Sequence, residues 1–448
     1  MPQSPHFDPA KMHGSIPMLF VKFAIPNVLV MLFFGLKNLI LSMAVGNTLG
    51  AAALGGVSII LPLFNLVTVV AVVIAIGCQT LVSQALGSDD YKQVHKVITT
   101  GFMSLFVIGV LISLVVWLGR KPIIGALGAD SVLFPYSLGY LSGLAPFIVS
   151  LMLAFYLDAM LRSLGKPVQS TLVMAGTVIL DIMMSLAAVL WLDLGLFGAS
   201  LASGLAFSLA VVGLLVLMPT PSLLLRGKFS PKTLGKACYV GSSEGVLEFS
   251  GAMTVLMINH VMISHAGAYG VSAYTVVGQV GMMVLLIFFG VCNGMIPVMA
   301  YHYGANQLAR LKQIIYFTAK IVIGLGVLMF GAVQIFKEPI IASFFGQGDK
   351  QAIQLAHDGL AIFAWAFLVQ GGIILAVSLF TAMSKAVISA AIALLRGVVF
   401  MALGVLILPS LFGVQGVWLT LVGSEMLSLA VSVGLVYYFL FKSAKNTP

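Results

Sequence analysis

Apolar stretches of about twenty residues or more recur along the whole length of this chain, and such stretches constrain the fold more than any single motif. A helix rises 1.5 Å per residue, so about twenty apolar residues cross a hydrocarbon layer about 30 Å thick. Twelve runs of this kind are readable, roughly at 16–45, 51–86, 93–118, 132–160, 168–191, 196–219, 236–264, 269–303, 313–336, 351–380, 386–408 and 415–441. Several exceed 25 residues, so tilt, kinks or extension beyond the bilayer are expected. Only 8% of the 448 residues are charged, against about 25% in ordinary globular domains. The expected fold class is therefore an all-α membrane protein with twelve transmembrane helices.

Orientation follows from the cations between the runs. The first 14 residues, MPQSPHFDPAKMHG, lack the basic start, short apolar core and small-residue cleavage site of a secretory signal; they read as a short cytoplasmic tail, as do residues 443–448. With the amino terminus inside, the cytoplasmic segments carry fifteen Lys and Arg residues. The outside loops carry four, Arg120, Lys121, Lys337 and Lys350. That bias places both termini in the cytoplasm of a cell, or inner, membrane protein. The net charge of +9 thus reflects topology and gives no reason to invoke nucleic acid. Cys78, Cys238 and Cys292 fall in or beside the apolar runs without metal-ligand spacing, so neither a disulfide framework nor a zinc site is expected.

An internal repeat organises the runs. LGAAALGGVSI has a counterpart in AGAYGVSAYTV, with Gly50 matching Gly267 at an offset of 217; the same offset places Gly77 on Gly294 and Gly87 on Gly304. One residue of drift then matches Gly195 and Gly198 to Gly413 and Gly416. The chain reads as two pseudo-symmetric six-helix bundles of like orientation, 15–219 and 236–442, joined by a basic cytoplasmic linker at 220–235. Paired bundles of this kind suit a carrier whose central cavity opens alternately to either side.

IAIGCQTLVSQALGSDDYKQV, AMLRSLGKP, VILDIMM followed by GLFGASLAS, YHYGANQLARLKQ and LFGVQGVWL together resemble the multidrug and toxic compound extrusion family, MATE, of the polysaccharide and lipid flippase superfamily. The resemblance runs from about Ser15 to Lys442. It implies a cation-coupled antiporter of two six-helix lobes that exports flat, lipophilic, cationic drugs in exchange for sodium or protons, with no cofactor.

A charge at the bilayer centre costs at least ~2.5–3.5 kcal/mol, so each interior charge needs a reason. Asp181 lies midway along the fifth run, in TVILDIMMSLAAVL, where a carboxylate can exchange a proton or hold a desolvated sodium ion. Thr177 lies one turn earlier on the same face, and Ser203 of the next run offers a further oxygen, as hard cations prefer. The alternative is a purely structural pairing of Asp181 with a nearby cation. In the resembled family this carboxylate sits in an Asn-x-x-Leu-Asp-Pro-like stretch; here Thr177 replaces the asparagine, Ile182 the proline, and Ser203 a frequent threonine.

The sharper departure is in FFGLKNLIL of the first run. The family's acidic partner falls on Leu41, and this chain instead carries Lys37 a turn earlier, beside Asn38. An ammonium facing Asp181 favours the ionised carboxylate and works against simple proton binding at neutral pH. Lys37 is then a tethered counter-cation released by sodium or substrate, or a selector of acidic or zwitterionic substrates, or a side chain that snorkels to the outer interface. Pro26 interrupts the hydrogen bonding of the same run; the resemblance implies a hinge there that closes the drug pocket, and a static kink filled by neighbouring side chains is the alternative.

Glu244 and Glu248, one turn apart in GSSEGVLEFSG, form a second candidate site in the carboxyl-terminal bundle. Like charges on one face compete, so at least one is expected to exchange protons or meet a drug cation near neutral pH; a structural role near the cytoplasmic surface is the alternative. Arg396 and Glu425 are expected to pair across the last two helices, and Asp158 with Arg162 at i,i+4. Lys320 is expected to snorkel. No nucleotide loop, nucleophile elbow or paired His and carboxylate at metal spacing is present among seven scattered histidines, so an enzyme is not expected.

The expected function is secondary active export of small, drug-like organic compounds by a monomer in the lipid bilayer. A flippase of lipid-linked saccharides is the alternative within transport, although its relatives line their cavity with many basic residues. A non-transporting scaffold or channel is the alternative outside it, and has no need of a buried carboxylate among hydroxyls.

Overall fold

The computed structural model describes residues 12–219, 221–345 and 350–442. Residues 1–11 of the expected amino-terminal tail, residue 220 of the expected linker and the expected tail at 443–448 lie outside the described residues. The first six helices are α1 (Ile16–Leu49), α2 (Ala51–Gly87), α3 (Tyr91–Ala126), α4 (Phe134–Ser163), α5 (Pro167–Leu190) and α6 (Gly195–Leu217). A helical rod, Pro231–Gly304, follows and breaks at Gly267 (φ 57°, ψ −148°), giving α7 (231–266) and α8 (268–304). Next come α9 (Leu308–Phe345) and α10 (Lys350–Ala382). A second rod, Ala386–Leu440, breaks at Gly413 (φ 57°, ψ −137°) into α11 (386–412) and α12 (414–440). Among the described residues, ten apolar helices, two of them broken in the middle, thus supply the twelve spans expected from the sequence. Helices suit this environment because each span satisfies its own backbone where no water can.

The two glycine breaks need glycine, since a Cβ is badly tolerated at those backbone angles. They also extend the repeat into the backbone. Gly50 and Gly267 have positive φ, as do Gly195 and Gly413, and Asp89 and Asn306 both adopt φ 56°. Two 3₁₀ turns, Ala145–Phe147 inside α4 and Ala364–Ala366 inside α10, stand at equivalent positions of the two halves. Even a side-chain crossing is repeated. Ser170 donates to the Asp158 carbonyl at 3.4 Å, and Ser389 donates to the Val377 carbonyl at 3.0 Å.

Internal contacts divide the chain into two compact units, Met1–Gly241 with Ala300–Asn306, and Ser242–Met299 with Gln307–Pro448. In the first, α5 packs on α1 and α6, and α4 is enclosed by α2, α3 and α6. Residues 148–163 of α4 are almost wholly buried, Asp158 and Arg162 included. In the second, α10 is the enclosed helix, packed by α9, α11 and α12, and nearly all of 367–382 is buried. Leu111, Leu172, Val216, Ile335 and Leu406 are exposed, as suits residues facing lipid.

Two helix starts illustrate local control. Asp90 caps α3 by accepting the Gln93 N–H at 3.0 Å, and Ser230 caps α7 by accepting the Thr233 N–H at 3.3 Å. Each satisfies one of the donors a helix start leaves free.

Candidate functional site

Asp181 is buried in the middle of α5 with 1% of its surface exposed. Its Oδ2 forms an ion pair with Lys37 Nζ of α1. Its Oδ1 accepts from Ser203 of α6 at 2.7 Å and from Ser185 at 3.0 Å. Ser185 also reaches the Ala199 carbonyl at 3.1 Å, so it shares one proton between two acceptors. The carboxylate is therefore met on one oxygen by an ammonium and on the other by two hydroxyls. A buried charge needs this degree of compensation, since desolvation alone costs several kcal/mol.

The structure brings Lys37, Asp181 and Ser203 together as the sequence suggested. It does not bring Thr177 into the group. The Thr177 hydroxyl donates to the Val173 carbonyl at 2.8 Å. Ser185, which the sequence reading missed, stands in its place. The reason lies in helix geometry: Cα–Cβ bonds tilt toward the helix start, so a hydroxyl at i+4 leans back onto residue i while one at i−4 leans away. Asn38 is also outside the group; it is exposed, because one residue of α-helix turns about 100° from the face that Lys37 occupies.

The surroundings are apolar. Phe34, Phe155 and Phe207 form a triangle of rings with centroids 6.1–6.5 Å apart, and Lys37 Nζ lies 5.8 Å from the Phe207 centroid. A narrow crevice beside the pair is lined by Lys37, Ile40, Leu41, Ile182, Ser185 and Leu186. Leu41 is thus next to the ion pair and brings no oxygen to it. Tyr140 of α4 packs with Leu41 against Val45, Ala53 and Leu196.

Pro26 is buried inside α1, and the helix continues through it. The next residue, Asn27, accepts a hydrogen bond from Arg162 Nη1 of α4. Arg162 is in turn held by Asp158, through Nε to Oδ1 at 3.1 Å and Nη2 to Oδ2 at 2.7 Å. Ser170 of α5 closes the network by donating to Asp158 Oδ1 at 2.5 Å. The expected i,i+4 pair therefore exists and also anchors α1 beside its proline. The sequence signal was the asparagine directly after Pro26 in FAIPNVL.

In the second unit, Glu244 and Glu248 are not the equivalent pair that their spacing suggested. Glu244 is 6% exposed, and its Oε1 has no hydrogen-bond partner; Glu248 is exposed. Four residues advance a helix by 40° beyond a full turn, which carries Glu248 past the edge of the buried face. Arg396 and Glu425 do pair. Arg396 Nε lies 2.9 and 2.8 Å from the two carboxylate oxygens, and Nη2 lies 2.7 Å from Oε1. Gln370 donates to Oε1 at 3.1 Å. Arg396 sits in a π-helical turn, Leu395–Val399. Lys320 lies over the Tyr316 ring, 4.5 Å from its centroid. Among the described residues, no cluster of three His, Cys, Asp or Glu side chains is placed to hold a metal ion.

Two like bundles of membrane helices, with charges held inside apolar helices, define a multi-pass membrane transporter. The MatE family model matches residues 26–187 and 246–406, once in each half, and the chain belongs to this family, a family of transporters and not of enzymes. Multidrug export protein MepA of Staphylococcus saprophyticus is 24% identical over 440 residues, spanning 96% of this chain and 93% of the relative. A multidrug resistance MATE family transporter solved in an outward-facing conformation superposes with a TM-score of 0.92 at 18% identity, over 100% of both chains. A MOP superfamily transporter from Pyrococcus furiosus superposes with a TM-score of 0.90 at 17% identity, again over 100% of both chains; for that protein a reversed polarity of the binding pocket suggests a different function.

Proposed function

We propose that this chain is a secondary active exporter of small, drug-like organic compounds, exchanging them for Na⁺ or H⁺. It works as a monomer in the cell (inner) membrane, with both termini in the cytoplasm. The observation that carries the reading is Asp181: a carboxylate buried mid-helix between hydroxyls and an ammonium, where a cation or proton can replace one partner without leaving the charge bare. The multidrug export activity of the Staphylococcus saprophyticus relative supports the direction and the substrate range. The positive-inside count supports the topology.

In this reading Asp181 receives the coupling ion, Ser203 and Ser185 hold the carboxylate in place, and Lys37 occupies it between cycles. Thr177 and Asn38 reach the site only if α1 and α5 rearrange during transport. Pro26 is the hinge, with Arg162 anchoring Asn27, the residue that follows it. Glu244, whose Oε1 has no partner, is a second proton-accepting position, and Glu248 does not share that role.

The test is efflux from proteoliposomes under imposed Na⁺ or H⁺ gradients, comparing the wild type with Asp181→Asn. Gradient-driven efflux that survives unchanged in Asp181→Asn removes Asp181 from the mechanism. A second reading, that acidic or zwitterionic compounds are preferred over cations, is favoured by the Lys37 ammonium at the site. The Pyrococcus furiosus transporter, for which a reversed polarity of the binding pocket suggests a different function, supports considering it. Competing anionic and cationic dyes in the same efflux assay decides between the two.

A further inference from the structure

The groups around Asp181 are arranged as they would be around a carboxylate that already has its cation. A sodium ion held by protein needs several oxygen lone pairs turned toward it, by the logic that holds for hard cations generally. Here the Ser185 and Ser203 hydroxyls aim their protons at Oδ1, and the Thr177 hydroxyl is bound to Val173. Asn38 is exposed, Leu41 has no oxygen to give, and Lys37 Nζ takes Oδ2.

We propose that Lys37 is a built-in counter-ion standing where a coupling metal ion would sit, so that transport by this chain does not use sodium. The transport clause rests on the export reading above; the ion-binding clause does not.

Sodium can bind only if the ammonium leaves, and the Lys37 side chain, 13% exposed, then stays unpaired beside the Phe207 ring. Leaving one member of a buried pair bare weakens the competing interaction by roughly 100-fold or more. Protonation of the carboxylate would release the ammonium in the same way, so Lys37 opposes that step as well. Among the described residues, Lys37 of α1 pairs with Asp181 and Ser203 of α6 donates a hydroxyl to it.

The experiment is a sodium titration of the full chain in nanodiscs at constant ionic strength, up to about 0.2 M, following the melting temperature, which a ligand of the folded state raises. The wild type is expected to respond no differently to Na⁺ than to K⁺. Lys37→Ala is expected to gain a saturable Na⁺ stabilisation, with an affinity about 100-fold above any wild-type response, and to lose it again when Asp181→Asn is added. Lys37→Gln serves as the second variant should the alanine form fold poorly. A wild-type Na⁺ stabilisation that Asp181→Asn abolishes overturns the proposal, and so do folded Lys37 variants that remain blind to Na⁺. If no compound is exported under any gradient, the export reading fails while these titrations still decide the role of Lys37.

Discussion

Arg396 and Glu425 allow the value of an interior ion pair to be worked out from its geometry. The side chains are 12% and 8% exposed, and three N–H···O contacts of 2.7–2.9 Å join them. Interhelical hydrogen bonds in membranes average ~0.6 kcal/mol each, so three of them set a floor of about 2 kcal/mol. Removing one member of a buried pair costs ~3–5 kcal/mol, because the survivor is left charged and bare. For Arg396→Ala the second effect should dominate, since Gln370 alone, at 3.1 Å, then supports the carboxylate. The expected loss is about 2–5 kcal/mol. Replacing both residues with apolar ones of similar volume, Arg396→Met with Glu425→Leu, should come within about 1 kcal/mol of wild type, as buried pairs exchanged for good packing often do.

The assay is a double-mutant cycle of reversible unfolding in mixed micelles over the wild type, Arg396→Met, Glu425→Leu and the double variant, with Arg396→Ala measured beside it. A coupling energy of about 2 kcal/mol or more is expected. Two results refute the reasoning: Arg396→Ala within ~0.5 kcal/mol of wild type, or single losses that simply add in the double variant.

Further outcomes follow from the other sites. Arg162→Met should destabilise more than Asn27→Ala, by thermal unfolding, because it leaves the Asp158 charge with Ser170 alone, whereas the asparagine change strips only one bond from the guanidinium, at about 1–3 kcal/mol. Gly413→Ala should cost about 1–3 kcal/mol and Gly267→Ala a similar amount, both having φ of 57°; Gly423→Ala, where a Cβ meets open space, should be neutral or slightly stabilising in the same melts. Ser185→Ala should slow efflux by about tenfold, the weight of one charge-assisted hydrogen bond, while Thr177→Val stays within about twofold; equal effects would return Thr177 to the site.

The fold was legible because its signal is repeated and cumulative. Twelve apolar runs and a near-constant glycine offset each constrain the same arrangement, and the positive φ angles at Gly50 and Gly267, and at Gly195 and Gly413, explain why those glycines were the landmarks. The site was legible only where cost forced it. Lys37, Asp181, Arg396 and Glu425 announce themselves because a charge in an apolar helix is expensive. Neutral groups carry no such signal. Asn27 and Ser185 look like any other polar residues until a partner is known, and periodicity places Thr177 at i−4 and Ser185 at i+4 on one face without saying which way a hydroxyl leans.

Leu41 and Lys37 show what that limit means for function. At the sequence level they are two separate departures from a family pattern, one a lost acid and the other an added base. In the folded chain Leu41 lines the crevice next to Lys37, and the two changes act on one carboxylate. With an acid at Leu41 a second negative charge would face Asp181 and the pair would call for an external cation; with leucine there, one ammonium from Lys37 neutralises Asp181 completely. With leucine there the site is neutral with the lysine alone, and an acid introduced as Leu41→Asp should hold Lys37 between two carboxylates and leave one negative charge uncompensated. In the titration described above, that variant should begin to respond to sodium while keeping its lysine. A Leu41→Asp protein that folds and still ignores sodium would show that the two departures are independent.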